Sequence, residues 1–159
     1  MHMSEPAEQQ TQPRVFERTH PLRASGLSRV LAGALALACL TVLSLGAWLE
    51  PSEAGHGTHT QLGMKPCIWA VTLDKPCMTC GMTTSFAHAG EGDWIGSFLN
   101  QPMGSVLVVI ASVMFWCGAT QALTGARIGT MVQPALRPKT FIVFLILMLL
   151  AWGYKVITW

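Results

Sequence analysis

Three long stretches of the chain contain almost no polar residues. They fall at about residues 27–49, 102–123 and 141–159. No Asp, Glu, Lys or Arg occurs within 94–126, and 141–154 is likewise uncharged. A helix crosses the hydrocarbon layer in roughly 20 apolar residues, with a range of about 17–25. Each stretch meets that length, so the pattern predicts an all-α membrane protein with three transmembrane helices. The stretch at 27–49 has a rival reading as a signal peptide, with Ser44, Leu45 and Gly46 as a small-residue cleavage site. The long segment before it argues for a retained helix. Cys39 after Ala36, Leu37 and Ala38 is a poor lipidation signal.

Between the apolar stretches lie polar ones. Residues 1–26 are rich in Glu, Gln, Thr and Pro and are expected to be a disordered tail. Residues 50–101 form a long loop, and 124–140 a short connection. Within the long loop a smaller pattern stands out. Asp93 suits a helix N-cap, Trp94, Ile95, Phe98 and Leu99 then share one face, and Pro102 breaks the run. This predicts a short interfacial helix, apolar face toward the membrane and separate from the second span. There is no internal repeat.

Composition sharpens the class. Hydrophobic residues make up 51% of the chain and charged residues 11%, against about 25% charged in soluble domains. An ordinary cytosolic enzyme is excluded, and the lipid bilayer is the first partner. The formal charge of +2 is too small to argue for nucleic acid. No carboxylate, His or Arg lies mid-span, which weakens pump, channel and b-type haem readings.

Basic residues set the expected orientation. Arg14, Arg18, Arg23 and Arg29 lie in or beside the tail, and Arg127, Arg137 and Lys139 in the short connection. The long loop has only Lys65 and Lys75, against Glu50, Glu53, Asp74, Glu91 and Asp93. Tail and connection are therefore expected in the cytoplasm, with the loop and C-terminus extracytoplasmic in a bacterial inner membrane. Trp48, Trp94, Trp152, Tyr154 and Trp159 then fall near the outer boundary, as amphipathic rings prefer. Lys155 is expected to snorkel outward there.

In lipid, helices associate by close packing of small residues. Ala32 with Ala36, Ala34 with Ala38, and Gly118 with Ala122 predict that spans one and two form the tighter pair. Span three carries large side chains and is expected to face lipid.

The chemistry lies in the loop. Cys67, Cys77 and Cys80 follow the spacing C-x9-C-x2-C, while Cys39 and Cys117 sit within spans as small apolar packing residues. Cys77 and Cys80 form a Cys-x-x-Cys turn ahead of a short helical run, where a helix dipole favours thiolate. A c-type haem would require His after the second cysteine, and Gly81 stands there. Three readings stay open. In the first, a disulfide joins Cys67 to Cys77 or Cys80 and staples a cap with too little apolar surface to hold itself. In the second, Cys77 and Cys80 exchange disulfides with Cys67 as a resolving thiol. In the third, Cys67, Cys77 and Cys80 bind zinc with His56 or His59, His88 being awkwardly placed, or copper with Met64, Met78 or Met82. No cofactor is required by the first two.

At these residues the sequence resembles a family of small bacterial membrane proteins catalogued as domain of unknown function 2752. Its members share an external Cys, a Pro-Cys-Pro-x-Cys-Gly-Met-Thr-Arg turn, a Gly-Asp pair, and Asn-Pro leading into a helix. Cys67 matches the first cysteine. Pro76, Cys77, Cys80, Gly81, Met82 and Thr83 match the turn, Gly92 and Asp93 the pair, and Asn100 with Pro102 the helix entry. Met78 replaces a proline, Thr84 stands at the arginine position, and Gln101 is inserted before Pro102. The resemblance implies a membrane location and a cysteine signature but no reaction.

The first expectation for function is a non-enzymatic assembly or partner-binding module with a cysteine-stabilised cap, the partner being another membrane protein or a second copy. Missing catalytic triads favour it. The alternatives are a membrane thiol–disulfide oxidoreductase, against which the lack of a βαβ pattern counts, and a zinc or copper accessory protein.

Overall fold

A computed structural model describes residues 23–128 and 137–159. The disordered-tail expectation for 1–22 and the middle of the second connection lie outside the described residues. Those described are helical and contain no strand. Among the described residues six α-helices occur, in the order α1 Gly26–Trp48, α2 Ile68–Leu73, α3 Met82–Gly90, α4 Trp94–Asn100, α5 Pro102–Thr124 and α6 Pro138–Ile157. Between α1 and α2 lies a 3-10 turn, Thr58–Leu62. Three helices, α1, α5 and α6, are long and apolar enough to cross a membrane.

Helix starts follow local chemistry. Ser25 caps α1 by accepting from the Ser28 amide at 3.3 Å. Pro102 and Pro138 open α5 and α6, where a missing N–H costs nothing. Helix α6 begins three residues before the apolar run read from sequence, because Pro138, Lys139 and Thr140 form its first turn.

Helices α1 and α5 run antiparallel and make the most extensive contact. Gly118 is the closest point. A Cβ there would lie 2.7 Å from the Ala32 carbonyl oxygen and 3.2 Å from the Ala36 Cβ. Gly33 meets Ala122 in the next turn. At the α1 start, the Arg29 guanidinium donates to the Ala122 oxygen at 2.8 and 3.0 Å and to the Leu123 oxygen at 3.1 Å. It thereby satisfies carbonyls that the end of α5 leaves open. Helix α6 touches α5 only lightly. Its Phe141, Leu145 and Leu150 are exposed, as a lipid-facing helix requires.

Helices α3 and α4 sit as a cap on the ends of α1 and α5. Asp93 caps α4 by accepting from the Gly96 amide at 2.8 Å, and its other oxygen lies 3.1 Å from His88 Nδ1. Gln101 turns to extended backbone, so α4 and α5 are separate helices. The cap core is polar. Ser85 Oγ donates to the Ser97 oxygen at 2.9 Å, and Ser97 Oγ donates back to the Ser85 oxygen at 2.8 Å. Ser97 Oγ also lies 2.8 Å from Ser105 Oγ, and Thr58 Oγ1 2.8 Å from Thr84 Oγ1. Thr58, Thr84, Ser85 and Ser97 are fully buried. Helix α3 comes so near α5 that a Cβ on Gly104 would lie 2.7 Å from Ser85 Cβ.

This network is a hold on the cap that the sequence did not suggest, beside the covalent or metal staple expected there. Small hydroxyl side chains pack at helix-crossing distance and satisfy one another. They replace apolar area with paired buried hydrogen bonds.

Candidate functional site: three thiols around one cavity

Residues between Ser52 and Thr84 line an open cavity of about 700 Å³. Cys67, Cys77 and Cys80 all line it. Cys67 precedes α2, the turn of Cys77 and Cys80 precedes α3, and α3 docks on α1 and α5. The turn is tight, with the Cys80 amide donating to the Cys77 oxygen at 3.0 Å. Gly81 ends it at φ 82°, a left-handed conformation that suits glycine. A Cβ there would also lie 2.9 Å from the Gly55 oxygen.

All three loop cysteines, and Cys39 and Cys117 in the spans, are thiols. The expected bond from Cys67 to Cys77 or Cys80 is not formed in this structure. The compact cluster nevertheless exists, because Cys67 lies within hydrogen-bonding reach of Cys77.

The thiols of the turn are unequal. Partial burial pushes the Cys77 thiol up, but hydrogen bonds from the Thr79 side chain and amide, and from Cys67, outweigh it and hold Cys77 below the ordinary value. Thr79 Oγ1 lies 3.5 Å from the sulfur. Cys80 is buried. Desolvation, reinforced by Cys77 and Cys67, pushes its thiol up from 9.0 to about 11, and Lys155 opposes the rise. Cys77 is thus the better thiolate and Cys80 the better-kept proton donor.

His56 and His59 also face the cavity, as do Met64 and Met82. His59 Nε2 lies 3.3 Å from the Lys65 oxygen. His56 Nδ1 lies 2.8 Å from the Ala54 oxygen, and its ring sits on Trp159 with centroids 4.4 Å apart. Among the described residues no group of three or more His, Cys, Asp and Glu side chains is arranged to hold a metal ion. Met78 is exposed and outside the cavity lining, and His88 is held by Asp93.

The largest departure from the sequence reading is Lys155. It does not snorkel outward; it is 6% exposed, turned into the cap. Its ammonium donates to the Asn100 Oδ1 at 2.9 Å, the Asn100 carbonyl at 3.2 Å and the Gly55 carbonyl at 3.1 Å. Three neutral oxygens replace water for it. Asn100 Nδ2 donates onward to the Gly81 oxygen at 2.9 Å and to Ser85 Oγ at 3.3 Å. Two further bonds tie α6 to the cap, from Trp152 Nε1 to the Pro76 oxygen at 3.1 Å and from the Tyr154 hydroxyl to the Leu99 oxygen at 2.7 Å. Sequence spacing gave no hint that α6 braces the loop that carries the thiols. A lone lysine in the last turn of an otherwise uncharged span was the available signal.

Two departures from the family pattern are now placed. Thr84 is buried against Thr58, and Gln101 is fully buried with neither amide atom hydrogen-bonded. No curated protein and no solved structure matches the chain. Residues 67–116, from the first loop cysteine into α5, match the model of the family described as Protein of unknown function (DUF2752), the family that the cysteine turn resembles.

Proposed function

We propose that this protein carries out thiol–disulfide exchange at a membrane surface, with Cys77 as the attacking sulfur. The observation that supports the reading is the unequal set of three free thiols around one open cavity. The cap keeps its shape through hydroxyl, Asn100 and Lys155 hydrogen bonds, so its cysteines are not needed as staples. This favours exchange over the stapled binding module expected first.

The step balances as follows. The Cys77 thiolate attacks one sulfur of a substrate disulfide. A bond forms between Cys77 Sγ and that sulfur, the substrate S–S bond breaks, and the departing thiolate takes a proton. Cys67 then loses its proton to solvent and attacks Cys77 Sγ. The protein disulfide Cys67–Cys77 forms, and the second substrate thiolate leaves and is protonated. The substrate gains two electrons and two protons, and the protein becomes a disulfide that a dithiol donor must reduce. Run in reverse, the same steps oxidise a dithiol. Cys80, buried and protonated, stands behind the pair and takes no part in either step.

We place this site on the extracytoplasmic side of a bacterial cytoplasmic membrane, with the N-terminus inside. Seven of the ten Lys and Arg residues support that orientation, being Arg14, Arg18, Arg23, Arg29, Arg127, Arg137 and Lys139. The test is turnover of a self-quenched disulfide peptide by protein reconstituted in lipid with a dithiol donor. Wild type accelerates cleavage, and Cys77→Ser abolishes the acceleration. Equal rates for wild type and Cys77→Ser would refute the reading.

A further inference from the structure

No residue of helix α2 is fully buried, although Ala70 and Val71 border the thiol cavity. Ile68 and Val71 are each 69% exposed, and Trp69 and Leu73 are exposed as well. Four large apolar side chains on a six-residue helix in a polar loop need a cover. The depth at which they lie identifies it.

Helix α6 has 20 residues, about 30 Å at 1.5 Å per residue. That is no longer than the hydrocarbon core, which is about 30 Å thick. Side chains on its last two turns therefore lie at the membrane boundary, with no length left to lift them into bulk water. The α2 segment is bonded to those turns through Trp152 and to Trp159, two residues past the helix end. Trp159 Nε1 donates to Asp74 Oδ1 at 3.3 Å, just after α2, and Trp152 Nε1 donates to the Pro76 oxygen at 3.1 Å. The exposed face of α2 thus sits where lipid headgroups meet acyl chains. Lys65 and Lys75, the only Lys or Arg residues of 50–101, flank this one helix. Both are exposed, and Asp74 between them is engaged by Trp159. An apolar helix with a cation at each end matches acyl chains below and phosphates beside them.

We infer that α2 is a membrane-surface anchor: Ile68, Trp69, Val71 and Leu73 enter the headgroup–acyl boundary of the leaflet nearest the thiols, and Lys65 and Lys75 meet lipid phosphates. The anchor holds Cys67, which directly precedes α2, at the bilayer surface. It rests on the spanning of the membrane by α6 and is independent of the thiol chemistry.

The test places a benzophenone amino acid at Val71, and separately at Ile68, in the full chain. The protein is reconstituted in nanodiscs of phosphatidylglycerol and phosphatidylcholine, irradiated, and weighed intact. The same probe at Leu145 in α6 reports the spanning helix. The expected result is a one-phospholipid mass increase at all three positions. Lys65→Gln with Lys75→Gln is expected to cut the yield at Val71 severalfold and leave Leu145 unchanged. Lipid adducts at Leu145 with none at Val71 and Ile68 overturn the anchor. A covalent dimer through Val71 overturns it in favour of a second copy. Loss of adducts at Leu145 as well overturns the spanning premise, and an undiminished yield in the lysine variant overturns the phosphate contact.

Discussion

Lys155 and Asn100 are locked together across 55 residues of chain, the lysine ammonium donating to both the side-chain and the main-chain oxygen of the asparagine at 2.9 and 3.2 Å. This one pair joins the end of α6 to the end of α4. Through the Asn100 amide it also fixes Gly81, the residue after Cys80. The position of the thiol turn therefore depends on a helix that otherwise touches the bundle lightly.

Lys155→Met is expected to destabilise the cap by about 1–3 kcal/mol, because Asn100 and Gly55 are left with part-buried oxygens unpaired. Thermal unfolding in detergent, followed by the rate at which Cys80 becomes accessible to maleimide, reads this. Retention of wild-type Cys80 protection would show that the pair does not hold the turn.

Ser97→Ala is expected to cost a similar amount, about 1–3 kcal/mol, since its hydroxyl bonds both the Ser85 oxygen and Ser105. A Ser97→Cys exchange, which keeps a weak donor, is expected to recover part of the loss in the same unfolding assay.

Gly118→Leu is expected to separate α1 from α5 at their tightest crossing, because a Cβ would fall 2.7 Å from the Ala32 oxygen. Overpacking of this kind costs about 1–3 kcal/mol or forces the backbone apart. Loss of a cross-link between cysteines introduced at Gly33 and Ala122 would report the separation.

The pH dependence of alkylation follows from the unequal thiols. Cys77, held below the ordinary thiol value, is expected to react with iodoacetamide first as pH rises. Cys80, raised from 9.0 to about 11, is expected to react only near the upper value. The sign for stability is fixed by the same shift. The folded state keeps the Cys80 proton between pH 9.0 and about 11 while the unfolded chain loses it, so stability is full below 9.0 and falls across that window. Site-resolved mass spectrometry across pH checks the order. A Cys80 that reacts before Cys77 would contradict it.

Much of the architecture was legible because bilayer and helix impose simple periods. Uninterrupted apolar length marked α1, α5 and α6, and the small residues Ala32, Ala36, Gly118 and Ala122 marked the crossing. Asp93 and Pro102 marked the separation of α4 from α5. The cap was less legible. Ser85, Ser97 and Thr58 look like ordinary loop polar residues until the fold brings them to van der Waals distance. Lys155 was misread because charge near a span end normally escapes to water, and here the chain supplies three oxygens instead. The cysteine spacing correctly marked a cluster, whereas pairing depends on sulfur chemistry that spacing does not encode.

The most direct measurement of the central claim is trapping. Cys67→Ser protein in lipid is treated with a disulfide peptide, quenched in acid and mapped by mass spectrometry. Exchange through Cys77 predicts a mixed disulfide on Cys77 that accumulates in this variant and clears in wild type. An adduct on Cys80 in place of Cys77, or no adduct on any loop cysteine, would contradict the account.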